Sequence, residues 1–152
     1  MSRENAVVFI GHSECPQITV DVLKAEIEKL IKDHKVTEFY NGGQGHFDRT
    51  AALAVHQLKE QYPQIKNYLV IPYRNFNIFD ESLLDEIIYP FPAGYISNAN
   101  YRSAIPKRNE YMIKHSSYAI CYVEHLWGNA VKTYRKAQNE GLTIINLCKT
   151  FL

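Results

Sequence analysis

The residues with the clearest chemical potential sit together in Glu38-Phe39-Tyr40-Asn41-Gly42-Gly43-Gln44-Gly45-His46-Phe47-Asp48. Glycines fill positions 42, 43 and 45, where each lets a ligand approach the bare backbone. The stretch reads as a short strand, a glycine turn and a helix beginning near Phe47 or Asp48. The unpaired N–H groups and positive dipole end of that helix face the same turn. Together they form a phosphate-binding geometry, with Asn41, Gly42, Gly43, Gly45, His46 and Phe47 as its expected contacts. The spacing matches neither G-x-G-x-x-G nor the Gly-Lys-Ser/Thr ending of a P-loop, so it specifies no particular anion. A tight βα turn that binds nothing is the alternative.

Acids, bases and cations lie around this turn and two others. Asp48 either caps the helix by accepting a backbone N–H or aims its carboxylate at a ribose hydroxyl. Glu124 is the other acid near the same region. His12, His46 and His125 each fall in a candidate turn, as acid–base groups, as phosphate donors or as plain polar loop residues. Lys107-Arg108-Asn109 follow Pro106, which suits the first turn of a helix. Arg108 has the side chain best shaped for two-point phosphate binding. A cation at a helix N-terminus opposes the dipole by ~0.3–1 kcal/mol, so the position reads as functional or as a solvated face. No H-x-x-x-H or His/Cys spacing occurs, and no metal site is expected.

The elements that must position these residues follow from composition and periodicity. With 152 residues and 46% hydrophobic content, the chain suits one globular domain, 1–152, with a sizeable core. The net charge of +1 recruits neither DNA nor membrane through a global field. The basic residues lean towards the C-terminal third, where 101–152 hold eight Lys/Arg against three Glu. That bias suits a phosphate-bearing ligand or a solvated surface. The odd set Cys15, Cys121 and Cys148 indicates neither a disulfide framework nor a zinc site, and Cys121 and Cys148, inside apolar runs, suggest buried thiols. No signal-like leader or membrane-length apolar run appears, so a cytoplasmic protein is expected.

Ala6-Val7-Val8-Phe9-Ile10 is a continuous apolar run, as in a strand buried on both faces, and it ends at Gly11-His12-Ser13. Pro16 opens the next element, and Val20, Leu23, Ile27, Leu30 and Ile31 recur at helical spacing. Glu38 to Tyr40 is the second strand, and its helix carries Phe47, Ala51, Ala54, Val55 and Leu58 inward. Tyr68 to Ile71 is the third strand, stopped by Pro72. Residues 72–104 interleave prolines and asparagines with Tyr73, Phe76, Phe79, Tyr89, Phe91, Tyr95 and Tyr101. A short helix over Ser82 to Ile88 is expected within them. Such a segment is a binding segment whose aromatics, with Arg74 and Arg102, stack on a base, or a satellite cluster on the sheet edge. A helix over Lys107 to His115, a strand over Tyr118 to Val123, a helix from Ala130 stopped by Gly141 and a strand over Thr143 to Leu147 complete the chain. The alternation predicts an α/β protein, an open parallel sheet of about five strands with helices on both faces, three layers in all. Ligands bind such sheets at the carboxyl ends of the strands.

The runs Phe9-Ile10-Gly11-His12, Gly43-x-Gly45-x-Phe47-Asp48-x-x-Ala51-Ala52, Ile71-Pro72-Tyr73, Lys107-Arg108-Asn109-x-x-Met112 and Gly128-x-x-x-x-Thr133-x-x-x-Ala137 occur in this order. Their order and spacing over nearly the whole chain resemble the YpsA-like branch of the SLOG superfamily. That superfamily groups DprA/Smf DNA-processing proteins with LOG-type nucleotide phosphoribohydrolases. The resemblance implies a Rossmann-like fold that binds a nucleotide, NAD or ADP-ribose type of ligand. It places the site at the Gly11, Gly42–Gly45 and Gly128 turns. Gly11, His12, Pro72, Tyr73, Arg108, Asn109, Gly128, Asn129 and Thr133 would join the glycine-turn residues and Asp48 there. Relatives commonly form dimers or larger assemblies, which leaves the oligomeric state open between a monomer and a homo-oligomer.

Arg108 matches the arginine of LOG-type hydrolases, but their Pro-Gly-Gly-x-Gly-Thr-x-x-Glu run does not survive. Leu126-Trp127-Gly128-Asn129-Ala130-Val131-Lys132-Thr133 stands in its place, without the glutamate. N-glycosidic cleavage needs a carboxylate, and Asp48 and Glu124 are the acids available. The expected function is therefore binding or sensing of a nucleotide-derived ligand. The alternatives are a nucleotide N-glycosidase using Asp48 or Glu124 with Arg108, or single-stranded DNA binding as in DprA relatives.

Overall fold

The structure is a computed structural model that describes residues 5–150. Its strands are β1 (Ala6–Gly11), β2 (Glu38–Asn41), β3 (Lys66–Val70), β4 (Glu86–Ile88), β5 (Tyr118–Tyr122) and β6 (Thr143–Asn146). Its helices are α1 (Val20–His34), α2 (Gly45–Leu58), α3 (Ala104–Lys114) and α4 (Asn129–Asn139). All strand pairs are parallel, in the order β4-β3-β2-β1-β5-β6. The chain winds outward from β1 to β4, then returns to the other side of β1 for β5 and β6. The gap between the carboxyl ends of β1 and β5 is therefore the topological switch point, where a doubly wound sheet forms its crevice.

The apolar run of β1 explains the three layers. Val7 and Phe9 point to one face and join Leu23 and Ile27 of α1 with Phe47, Ala51 and Val55 of α2. Ala6, Val8 and Ile10 point to the other and join Met112 of α3 with Val131 and Ala137 of α4. A strand covered by helices on both sides has no polar face, hence no polar alternation. α1 opens where Thr19 accepts the Val22 N–H at 3.3 Å, later than Pro16, which lies in the preceding turn. α4 stops before Gly141, whose φ of 82° suits glycine. No helix among the described residues is long and apolar enough to cross a membrane.

The sheet has six strands rather than five, because the helix expected over Ser82–Ile88 is absent. Only a 3-10 turn, Glu81–Leu83, forms there, with Asp80 accepting the Ser82 N–H at 3.0 Å. Glu86–Ile88 then pairs with Tyr68–Val70 as the edge strand β4. The apolar pairs of this run fit either period. Tertiary bonds decide it: Asp85 accepts the Asn67 N–H at 2.7 Å, and Asn67 Nδ2 donates to Leu83 O at 2.8 Å. The aromatic segment around β4 forms a ladder in which Tyr89, Phe91 and Tyr95 pack in sequence and Arg74 lies 4.5 Å over the Tyr89 ring.

A candidate ligand cleft at the switch point

A cleft of about 460 Å³ opens at the carboxyl ends of the strands. Its walls are the end of β1 through Glu14, the turn after β2 with Asp48, one face of α3, and the segment from Glu124 into α4. Of the residues expected from sequence, Gly11, His12, Gly42, Asp48, Arg108, Asn109, Glu124, His125, Gly128, Asn129 and Thr133 line it. Asn41, Gly43, Gly45, His46, Phe47, Pro72 and Tyr73 lie off its walls. Phe47 is fully buried against Phe9, with ring centroids 6.5 Å apart. His46 Nε2 lies 3.3 Å from Ile18 O and from Thr50 Oγ1, facing the loop before α1. Pro72 is buried, while Tyr73 packs edge-on against Phe76 and borders a separate cavity of about 630 Å³ under the aromatic segment.

The glycine turn after β2 is closed on itself. Gly43 N–H donates to Asn41 Oδ1 at 2.6 Å, Gln44 N–H to Asp48 Oδ2 at 2.8 Å and His46 N–H to Ser13 O at 2.7 Å. Three amides of this turn, those of Gly43, Gln44 and His46, are thus satisfied by the protein. α2 begins at Gly45, earlier than Phe47 or Asp48, with Gln44 as N-cap. Asp48 is therefore not the cap residue. It reaches back from inside the first turn to the Gln44 amide, a variant of the capping box that sets a carboxylate where an incoming anion would sit. The glycines serve close packing. A Cβ on Gly11 would lie 2.3 Å from the Phe47 ring, and one on Gly45 would lie 2.5 Å from Ser13 Cα.

Arg108 accounts for Gly42. α3 starts at Ala104, one turn before Lys107, so Arg108 is not an exposed cation at the N-terminus but a side chain 1% exposed. Its Nη1 donates to Gly42 O and Val70 O, both at 2.8 Å, and its Nη2 to Gln44 Oε1 at 3.0 Å. Its Nε donates to Asn109 Oδ1 at 2.8 Å. A Cβ at Gly42 would stand 3.1 Å from the guanidinium carbon. The network continues as Asn109 Nδ2 donates to Thr133 Oγ1 at 3.2 Å and Thr133 Oγ1 to Asn129 O at 2.9 Å. A continuous polar chain thus ties the ends of β2 and β3 to the first turn of α4.

Burial sets the protonation of this floor. Desolvation raises the Asp48 carboxyl to about 7, against the opposing pull of the Gln44 N–H and the Arg108 charge. Desolvation likewise lowers Arg108 to about 10, opposed by Asp48, and leaves it a cation at neutral pH. His12 is lowered by burial and by His125, with Glu124 pulling the other way. Its Nε2 accepts the Glu124 N–H at 2.9 Å, so the neutral ring carries its proton on Nδ1. Cys15 is buried and raised to about 12, which leaves it an unreactive thiol.

The turn after β5 differs. Gly128 takes φ 96° as the N-cap of α4, and a Cβ there would meet nothing within 4 Å. No side chain caps this helix and its first turn holds no acid. Asn129 and Ala130 line the cleft, so the positive end of α4 opens into it. Beside it His12, His125 and Trp127 form a stack, with successive ring centroids 3.8 Å apart and interplanar angles of 13° and 14°. Met112, a residue of the Lys107-Arg108-Asn109-x-x-Met112 run, lines the cleft too, as do Ser13, Glu14, Gln44 and Trp127, none of which was an expected site residue. The signal available for Trp127 was its place as the sole tryptophan, directly before the Gly128 turn. Among the described residues, no group of three or more His, Cys, Asp or Glu is placed to hold a metal ion.

Comparison with known proteins agrees with this architecture. The chain is 32% identical over 113 residues to the uncharacterized SPbeta prophage-derived protein YoqJ of Bacillus subtilis (strain 168), covering 63% of this chain and 66% of YoqJ. DNA processing protein A (DprA) of Streptococcus pneumoniae superposes with a TM-score of 0.65 at 16% identity, covering 91% of this chain and 48% of DprA. The Helicobacter pylori DprA, whose structure is described as showing a single-stranded DNA binding mode, gives 0.65 at 14% identity, covering 93% and 64%. At these identities the DprA likenesses concern the fold, and the chain spans less than two thirds of each relative. A family model described as the YspA SLOG family matches residues 7–143, and the chain belongs to that family.

Proposed function

We propose that the switch-point cleft binds a nucleotide-derived ligand, of nucleotide, NAD or ADP-ribose type, with its phosphate at the first turn of α4. The observation that carries this reading is the uncapped, acid-free N-terminus of α4 opening into a cleft whose other walls carry Glu14, Glu124 and Asp48. Free backbone donors suit a phosphate, and carboxylates suit the hydroxyls of a sugar. The volume, about 460 Å³, falls within the ordinary range of small-ligand pockets. The test is a thermal-shift and calorimetric screen of ADP-ribose, NAD and AMP. A ligand at 100 times its dissociation constant adds about 2.7 kcal/mol to stability. Asn129→Asp is nearly isosteric, favours the helix dipole and puts a negative charge where the phosphate sits, so it abolishes that gain while the protein stays folded. No shift with any of the three ligands overturns the reading.

A second reading is supported by Asp48, a carboxyl raised to about 7 on the cleft floor with the Arg108 cation acting on it. That value suits a general acid for N-glycosidic cleavage. Release of free base from AMP or NAD, lost in Asp48→Asn while binding persists, supports it. Intact substrate after prolonged incubation rejects it. The single-stranded DNA binding described for the Helicobacter pylori DprA gives the control ligand. A labelled oligonucleotide that shifts at low salt and displaces ADP-ribose would reassign the cleft.

A further inference from the structure

The geometry points to the outer face of Trp127 as the platform on which the ligand's aromatic base stacks. This inference rests on the cleft reading above and adds to its phosphate position the surface that takes the base. Trp127 is 70% exposed although its ring lies nearly parallel to His125 at 3.8 Å. One face is covered by that ring, so the exposure belongs to the other face and the edges. An exposed tryptophan held flat at a cleft mouth leaves a large apolar face in water, where an aromatic partner gains most by covering it.

The stack behind it has the form of a support. His12 is 8% exposed, its tautomer is fixed by the Glu124 amide, and it backs His125 at 3.8 Å. His125 Nδ1 is buried with no hydrogen-bond partner, so the ring is held between two flat neighbours rather than by a polar contact at that nitrogen. Three rings thus run from the cleft floor to its rim at base-stacking separation, and a fourth ring continues the series. Gly128 and the first turn of α4 directly follow Trp127 in the chain. A base on Trp127 therefore keeps its attached sugar-phosphate within reach of the Asn129 and Ala130 amides. Stacking accepts any base, because every base presents a π-face.

The experiment compares ADP-ribose with ribose 5-phosphate, which lacks a base, by calorimetry and by fluorescence of the sole tryptophan. ADP-ribose binds the native chain more tightly than ribose 5-phosphate does and changes Trp127 emission, whereas ribose 5-phosphate leaves emission unchanged. Trp127→Ala weakens ADP-ribose about 5- to 150-fold, the loss of one base–aromatic stack, and leaves ribose 5-phosphate affinity unchanged. Trp127→Phe retains most of the affinity. If both ligands bind and Trp127→Ala affects neither, the base platform is wrong and the phosphate site stands. A changed sedimentation of Trp127→Ala with unaltered ADP-ribose affinity assigns the ring to a protein contact and overturns the proposal. If neither ligand binds the native chain, the cleft reading and the platform fall together.

Discussion

The turn between β2 and α2 and the turn between β5 and α4 are both strand–glycine–helix junctions at the same end of one sheet. The first has the glycines, the second the helix end that no side chain caps. After β2, the backbone donors of Gly43, Gln44 and His46 are consumed by Asn41, Asp48 and Ser13. Its glycines admit Arg108, Leu69 and Ser13 rather than a ligand. After β5, a single glycine turns the chain, no side chain caps the helix, and a Cβ on that glycine would meet no atom within 4 Å. Glycine richness measures how closely something approaches the backbone, and that something is as often the protein itself. Which helix end is open is settled by the side chains around it.

Breaking the closed turn has the largest expected effect on stability. Arg108→Ala orphans the carbonyls of Gly42 and Val70 and strips Asp48 of its compensating charge, for a loss of about 3–5 kcal/mol. Chemical denaturation measures it, and a loss under 1 kcal/mol would show that the guanidinium is not what pins the turn.

Next in size is a pH effect. The folded Asp48 value, about 7, lies above its ordinary 3.8, so the folded state holds the proton more tightly. This group's contribution therefore falls as pH rises from about 4 to about 7 and is flat outside that window, with a span of up to about 4 kcal/mol. Asp48→Asn flattens that slope in the pH profile of unfolding, and an unchanged slope would contradict a raised carboxyl. Gly45→Ala forces a Cβ to 2.5 Å from Ser13 Cα at φ 83° and costs about 3 kcal/mol by overpacking and left-handed strain. Gly128→Ala meets no atom and costs only the positive φ, about 1 kcal/mol. Equal losses at the two glycines in thermal unfolding would erase the distinction between the turns.

Much of the fold was legible in the sequence. Ala6 to Ile10 has no polar alternation, which requires helices on both faces, and Gly141 bounds α4 by its ordinary preference. Pro16 reads as the start of α1, whereas the cap is Thr19, three residues on. The Glu86–Ile88 strand was not legible, because its identity depends on Asp85 and Leu83 meeting Asn67 across 18 and 16 residues. The position of the cleft was legible from the three turns, but its floor was not. Arg108 reads locally as a cation at a helix start. Only its bond to Gly42, 66 residues away, shows it as the clamp of another turn. Asp48 reads locally as a cap, and the register of α2 alone makes it a buried carboxylate facing inward along its own helix.

The central claim is that the anion end of the cleft is the N-terminus of α4. Amide chemical-shift mapping of the 15N-labelled chain with ADP-ribose tests it residue by residue. The account predicts the largest shifts at Gly128, Asn129 and Ala130, with Gly43, Gln44 and His46 little moved. Largest shifts at Gly43 to His46, with the start of α4 silent, would contradict it.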